Sequence, residues 1–167
     1  MIPEHPPEPA DATSGPAADV PVGDPDAGAG LVLLDFVGTA ALLVACVAGI
    51  VAPDGAGTFT AVASGVLFAV GVALFVWGYA NGVVRSREEQ ITLSGLFFLT
   101  GTAPPVVRFR LRLALAVQVV LAVAAASIRP YTAVAFAVLA PMLGLGVMAA
   151  WGARHGTFHP RDDPRRP

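Results

Sequence analysis

Apolar residues in this chain gather into long runs, and the breaks between those runs are short, polar and rich in proline or glycine. The first run extends from about Leu31 to Ala52 and stops at Pro53-Asp54-Gly55. The second extends from about Thr58, a residue able to cap a helix, to Ala80. At a rise of about 1.5 Å per residue, about twenty apolar residues cross a hydrocarbon core of about 30 Å, so each run predicts a membrane span. The short link Pro53–Gly57 predicts that these two spans form an antiparallel hairpin.

A third span is expected over 108–128. Its purely apolar part, Leu113–Ile128, is somewhat short and extends backwards over Val106–Arg112, with the arginine side chains reaching to the interface. A fourth is expected over 131–151, with Tyr131 and Trp151 as anchors at the two membrane surfaces. Pro141 lies in its middle and predicts a kink, because proline lacks the donor N–H and crowds the preceding turn.

Between the second and third spans, Ser86 and Glu89 have the spacing of a capping box, which predicts a short helix beginning near Arg87. The apolar stretch Ile91–Ala103 that follows is too short to cross and fits an interfacial or re-entrant segment. The expected fold is therefore all-α: an integral membrane four-helix bundle of two antiparallel transmembrane hairpins, with a cytoplasmic loop at 82–107 and an interfacial segment at 87–103. Residues 1–30 and 153–167 are expected to be disordered tails, the first acidic and rich in Pro and Ala, the second basic.

Composition supports the membrane class. Apolar residues make up 55% and charged residues 13% of the chain. A soluble domain carries about 25% charged residues, enough to cover a wet surface. Charge then sets the direction of threading. All ten basic residues are arginines, and none precedes Arg85. Five lie within 82–112 and four in the C-terminal tail, whereas the opposite side of a four-span chain holds only Arg129. Cytoplasmic loops carry the excess of Lys and Arg, so both termini are expected in the cytoplasm and the protein in the cell membrane. The acidic, proline-rich start lacks the basic region of a cleavable signal peptide, so the first run reads as a retained span.

Candidate chemistry is sparse. Helices in lipid associate through close contact at small residues, and two stripes have the right spacing: Ala61, Gly65, Ala69 and Ala73 on the second span, and Ala41, Ala45 and Gly49 on the first. They are expected to face each other across the hairpin or to form a docking face, and Gly78 and Gly82 extend the pattern. Asp35 is the one carboxylate inside an expected span and marks a possible polar role, with Arg85, Arg112 or Arg154 as partners near the cytoplasmic boundary. Gln118 can hydrogen-bond to a neighbouring helix. Arg108, Arg110 and Arg112 form a basic cluster suited to anionic lipid headgroups, at about 1 kcal/mol per charge.

His155 and His159 have helical metal-ligand spacing, but Gly156, Pro160 and the lack of a third ligand argue against a metal site. Cys46, the one cysteine, reads as a packing residue. No nucleophile elbow, metalloprotease motif, phosphate loop or paired cysteines occur, so no catalytic residue and no cofactor is expected, and no basic surface suggests nucleic acid. Three functions remain. The first is a non-enzymatic accessory, assembly or scaffold subunit, contacting lipid and other membrane proteins or itself. The second is a small homo-oligomeric transporter or channel using Asp35, Gln118 and the Pro141 kink. The third, ranked last, is a lipid-acting enzyme using Glu88 or Glu89.

Overall fold

The structure, a computed structural model, describes residues 26–158. The greater part of both tails and His159 lie outside the described residues. Among the described residues the chain is helical, with no β-strand. The α-helices are α1 (Ala29–Val51), α2 (Pro53–Arg85), α3 (Leu93–Phe98), α4 (Pro105–Ile128) and α5 (Met142–His155), and a 3₁₀ helix (Ala133–Leu139) precedes α5. Four segments are long and apolar enough to cross a membrane: α1, α2, α4, and the 3₁₀ helix together with α5. Their outward faces carry exposed large apolar residues, among them Leu33, Val44, Val62, Val76, Val120 and Val123. Water would penalise such faces and lipid does not.

The helices start and stop where local chemistry allows. Ala52 alone separates α1 from α2. It leaves the helical region because a proline follows, and Pro53 then opens α2 at the position where a missing N–H costs nothing. The five-residue link expected at Pro53–Gly57 is therefore the first turn of a helix, and Thr58 caps nothing. α2 also continues past Ala80 to Arg85, so its 33 residues span about 50 Å, more than a hydrocarbon core requires.

The segment after α2 departs from expectation in a second way. Ser86 closes α2 by donating from its hydroxyl to the Val83 carbonyl, and Glu89 pairs with Arg85 at 2.8 Å. That pairing takes the carboxylate a capping box would need, and no helix starts at Arg87. The short helix α3 starts six residues later, with Thr92 as its cap: Oγ1 accepts from the Gly95 N–H at 3.1 Å. Leu99, at φ 55, ends it in the left-handed region, and Gly101, at φ 75, turns the chain towards α4. The run Ile91–Ala103 is thus a helix of six residues followed by a tight turn. Leu96 and Leu99 are buried, and α3 packs on α5.

Pro141 divides the fourth apolar segment into a 3₁₀ helix and an α-helix, with the backbone staying right-handed helical at Ala140 and Pro141. Before it the chain winds as a 3₁₀ helix, with Ala140 N–H donating to Ala137 O, and across it Leu143 N–H donates to Ala140 O. The tighter winding satisfies backbone groups that proline would leave open. Trp151 does not act as a surface anchor. It is fully buried, and its indole N–H donates to the Ala27 carbonyl at 2.9 Å, tying the start of α1 to α5. Tyr131, at the other end, is fully exposed.

Glycines set the closest helix approach. A Cβ on Gly71 would overlap the backbone of Met142 and Leu143, one on Gly78 the backbone of Ala149, and one on Gly146 the carbonyl of Gly71. Thus α2 and α5 touch main chain to main chain. On α2 the buried small residues Gly57, Ser64, Gly71 and Gly78 recur every seven positions, two helical turns. Two apolar clusters fill the remaining interior. One is built on Leu99, Leu111, Leu143, Met148 and Trp151, the other on Leu42, Cys46, Ala125, Val134 and Ala137.

Candidate functional site

The buried stripe of α4 runs Val107, Leu111, Ala114, Gln118, Ala122 and Ala125, so its one polar member separates the two apolar clusters. Gln118 follows 13 residues of α4 (118 − 105) and precedes 10 (128 − 118), which puts it near mid-length. Gly144 lies midway along the fourth segment, 11 residues from each end of Ala133–His155. These two meet. Pro141 starts a new helix at Met142, so the Gly144 N–H falls in a first turn and has no intrahelical acceptor. It donates to Gln118 Oε1 at 3.2 Å. A Cβ at position 144 would come within 3.0 Å of that oxygen, so the residue must be small.

The other end of the same amide reaches α1. Gln118 Nε2 donates to Asp35 Oδ1 at 2.8 Å and to Thr39 Oγ1 at 2.8 Å. Thr39, one turn after Asp35, donates its hydroxyl to the Asp35 main-chain carbonyl at 2.8 Å. A backbone N–H can only donate, so the Gly144 contact fixes which amide atom is oxygen, and the NH₂ group must face Asp35. The result is a polar node joining α1, α4 and α5. Both Asp35 and Gln118 are almost completely buried, at 0% and 1% exposure. Asp35 Oδ2 has no hydrogen-bond partner among the described residues.

None of the expected arginine partners reaches Asp35. Arg85 donates to the carbonyls of Ala153 and Gly156 at 2.8 and 3.2 Å, pairs with Glu89, and lies over the Phe158 ring. It thereby closes the C-terminal end of α5, where carbonyls lack partners. Arg112 donates to the Phe98 carbonyl and to Thr100 Oγ1. Arg154 is exposed. The expectation of an arginine-paired Asp35 near the boundary is corrected: the carboxylate is buried and its side-chain donor is the neutral Gln118 amide. A second buried polar contact closes α1 on α2, Thr60 Oγ1 donating to the Ala45 carbonyl at 2.7 Å.

The small-residue stripes divide. Ala45 and Gly49 are buried, and Gly49 faces Thr60 and Val134. Ala41 is exposed. On α2, Ala61 and Gly65 are partly buried, Ala69 and Ala73 are exposed, and a Cβ on Gly65 would meet open space. The two stripes therefore do not face each other. The α2 face that packs inside the protein is the one holding Gly57, Thr60, Ser64, Gly71 and Gly78. Gly78 and Gly82 are both buried, against α5 and Leu96 respectively.

The arginine cluster also divides. Arg108 and Arg112, one turn apart, line one groove with Pro105, Phe109 and Leu113. Arg110 lies on another face, in a groove shared with Asp26, Val32 and Phe36 of the α1 end. Cys46 is a buried free thiol. His155 packs against the Trp151 ring, with centroids 5.6 Å apart, and no group of three metal-binding side chains occurs among the described residues.

Sequence reading found Asp35 and Gln118 but not their pairing. It missed Thr39 and Gly144, for which the signals were a hydroxyl one turn after the acid and a glycine just past the proline break. No family model, curated protein or solved structure compared with the chain matches it.

Proposed function

We propose that this protein is a non-enzymatic multi-pass membrane subunit, an accessory, assembly or scaffold component that packs against other membrane proteins or against itself. The reading takes the four apolar segments as two antiparallel hairpins in a bundle, inserted in the cell membrane with both termini cytoplasmic, as the arginine distribution favours. The observation that carries it is how the polar groups inside the spans are used. The Asp35–Thr39–Gln118–Gly144 node and the Thr60–Ala45 contact turn inward and join helices to one another. The outer surface left over is apolar, with the exposed small residues Ala69 and Ala73 offering close approach to another helix. Crosslinking in native membranes, followed by identification of what is bound, tests this. Recovery of a defined membrane partner or a homodimer through α2 is the expected result. A chain recovered alone, with no crosslinked neighbour, overturns it.

One observation favours a second reading, a small transporter. A fully buried carboxylate with an unpartnered oxygen sits beside a span broken at mid-depth. Discontinuous helices whose positive ends point at a charged group are a device of ion-coupled transport. Flux in liposomes that disappears in Asp35→Asn would favour this reading over the first.

A further inference from the structure

We infer that the groove at the N-terminal end of α4, lined by Pro105, Arg108, Phe109, Arg112 and Leu113, is a binding site for the anionic headgroup of a phospholipid. The site rests on the membrane reading but not on the subunit or transporter reading.

The argument begins with geometry. Arg108 and Arg112 stand one turn apart, so both side chains lie on the same face. Side chains on a helix lean towards its N-terminus, so both guanidiniums reach back towards the helix start. Counted along the axis from Pro105, they originate about 5 and about 10 Å into a helix about 36 Å long. That is the depth at which headgroups meet the hydrocarbon. Arg112 is held in place by the Phe98 carbonyl and Thr100 Oγ1, which take its Nε and one terminal nitrogen and leave the other terminal nitrogen open to a ligand. Arg108 is partly buried, yet no acceptor among the described residues meets it.

Charge and apolarity then select the ligand. Among the described residues no acid lines the groove, whose volume is about 540 Å³. The Arg108 guanidinium offers phosphate oxygens a fork, and Arg112 adds its open terminal nitrogen beside it. Phe109 and Leu113 are exposed at 66% and 48% and lie beside the arginines, where an acyl chain would descend. A phosphate next to a hydrocarbon chain satisfies both halves of the groove at once. Arg110 takes no part, since it faces the α1 groove that contains Asp26.

The test is native mass spectrometry of the full chain released from nanodiscs of phosphatidylcholine with a minor share of phosphatidylglycerol. The wild type is expected to retain phosphatidylglycerol roughly thirtyfold above its bulk share, the product of about fivefold per guanidinium. Arg108→Ala with Arg112→Ala should lose that preference, and Arg110→Ala should keep it. Retention of the two lipids in bulk proportion by the wild type overturns the proposal, and this arm needs no variant to fold. So does equal loss in Arg110→Ala, or displacement of the retained lipid by inorganic phosphate. Deletion of residues 2–25, which removes Glu4, Glu8, Asp11, Asp19 and Asp24, should leave the preference unchanged. A preference that appears only after that deletion would make the acidic tail the occupant and overturn the lipid site.

Discussion

Gln118 and Asp35 meet through a 2.8 Å hydrogen bond across 83 positions of sequence, at a depth where neither has access to solvent. The amide is bonded at both ends. Its oxygen takes a backbone N–H that Pro141 freed on α5, and its nitrogen gives a donor to α1. An amide placed this way couples three helices, and each contact accounts for a group that would otherwise be unpaired in apolar surroundings.

Replacing Gln118 with leucine should therefore cost more than one hydrogen bond. It leaves the Asp35 carboxyl and the Gly144 N–H without partners together, for an expected loss of about 1–3 kcal/mol for each group. Asp35→Asn keeps an acceptor oxygen and should cost less. Reversible unfolding in detergent or bicelles, comparing the two variants, checks the order.

Substitutions to alanine should separate the true packing face of α2 from the open one. Gly71→Ala and Gly78→Ala push a methyl group into the backbone of α5 and are expected to destabilise by about 1–3 kcal/mol each. Gly65→Ala meets open space and should be neutral or slightly stabilising, because alanine favours helix. Equal effects at Gly65 and Gly71 in the same unfolding assay would contradict this assignment.

Arg85 should govern the end of α5. Arg85→Met retains the apolar stem but removes the donors to Ala153 and Gly156 and the ion pair with Glu89. Faster amide exchange at Gly156 and Thr157 is the expected outcome, with the middle of α5 unchanged. Their N–H groups donate to Gly152 and Thr102, contacts that depend on this end staying docked.

Threading can be read with single cysteines on a Cys46→Ala background. Gly55→Cys at the start of α2 should react with an impermeant reagent from outside the cell. Arg87→Cys, just past the end of α2, should react only once the membrane is opened. Labelling of both from one side would rule out a hairpin of α1 and α2.

The four apolar segments and their approximate ends were legible in the chain itself. Each follows from a property summed over a stretch: enough apolar length to cross oil, or enough charge to stay out of it. Pro141 also announced a disturbance at its own position, because its ring and missing N–H act locally. Pairings were not legible. The spacing of Ala61, Gly65, Ala69 and Ala73 is as regular as that of Gly57, Ser64, Gly71 and Gly78, yet the second set packs inside the protein. Only the position of α5 decides which face of α2 has backbone close by. Ser86 and Glu89 had a capping spacing, but Arg85, anchored on α5, claimed the carboxylate first. Asp35 looked like a boundary residue until Gln118 and the broken span came together around it. Hydrophobic length is an additive property of a segment and survives any arrangement of its neighbours, whereas a hydrogen bond or a close contact exists only once two distant segments share the same few ångströms.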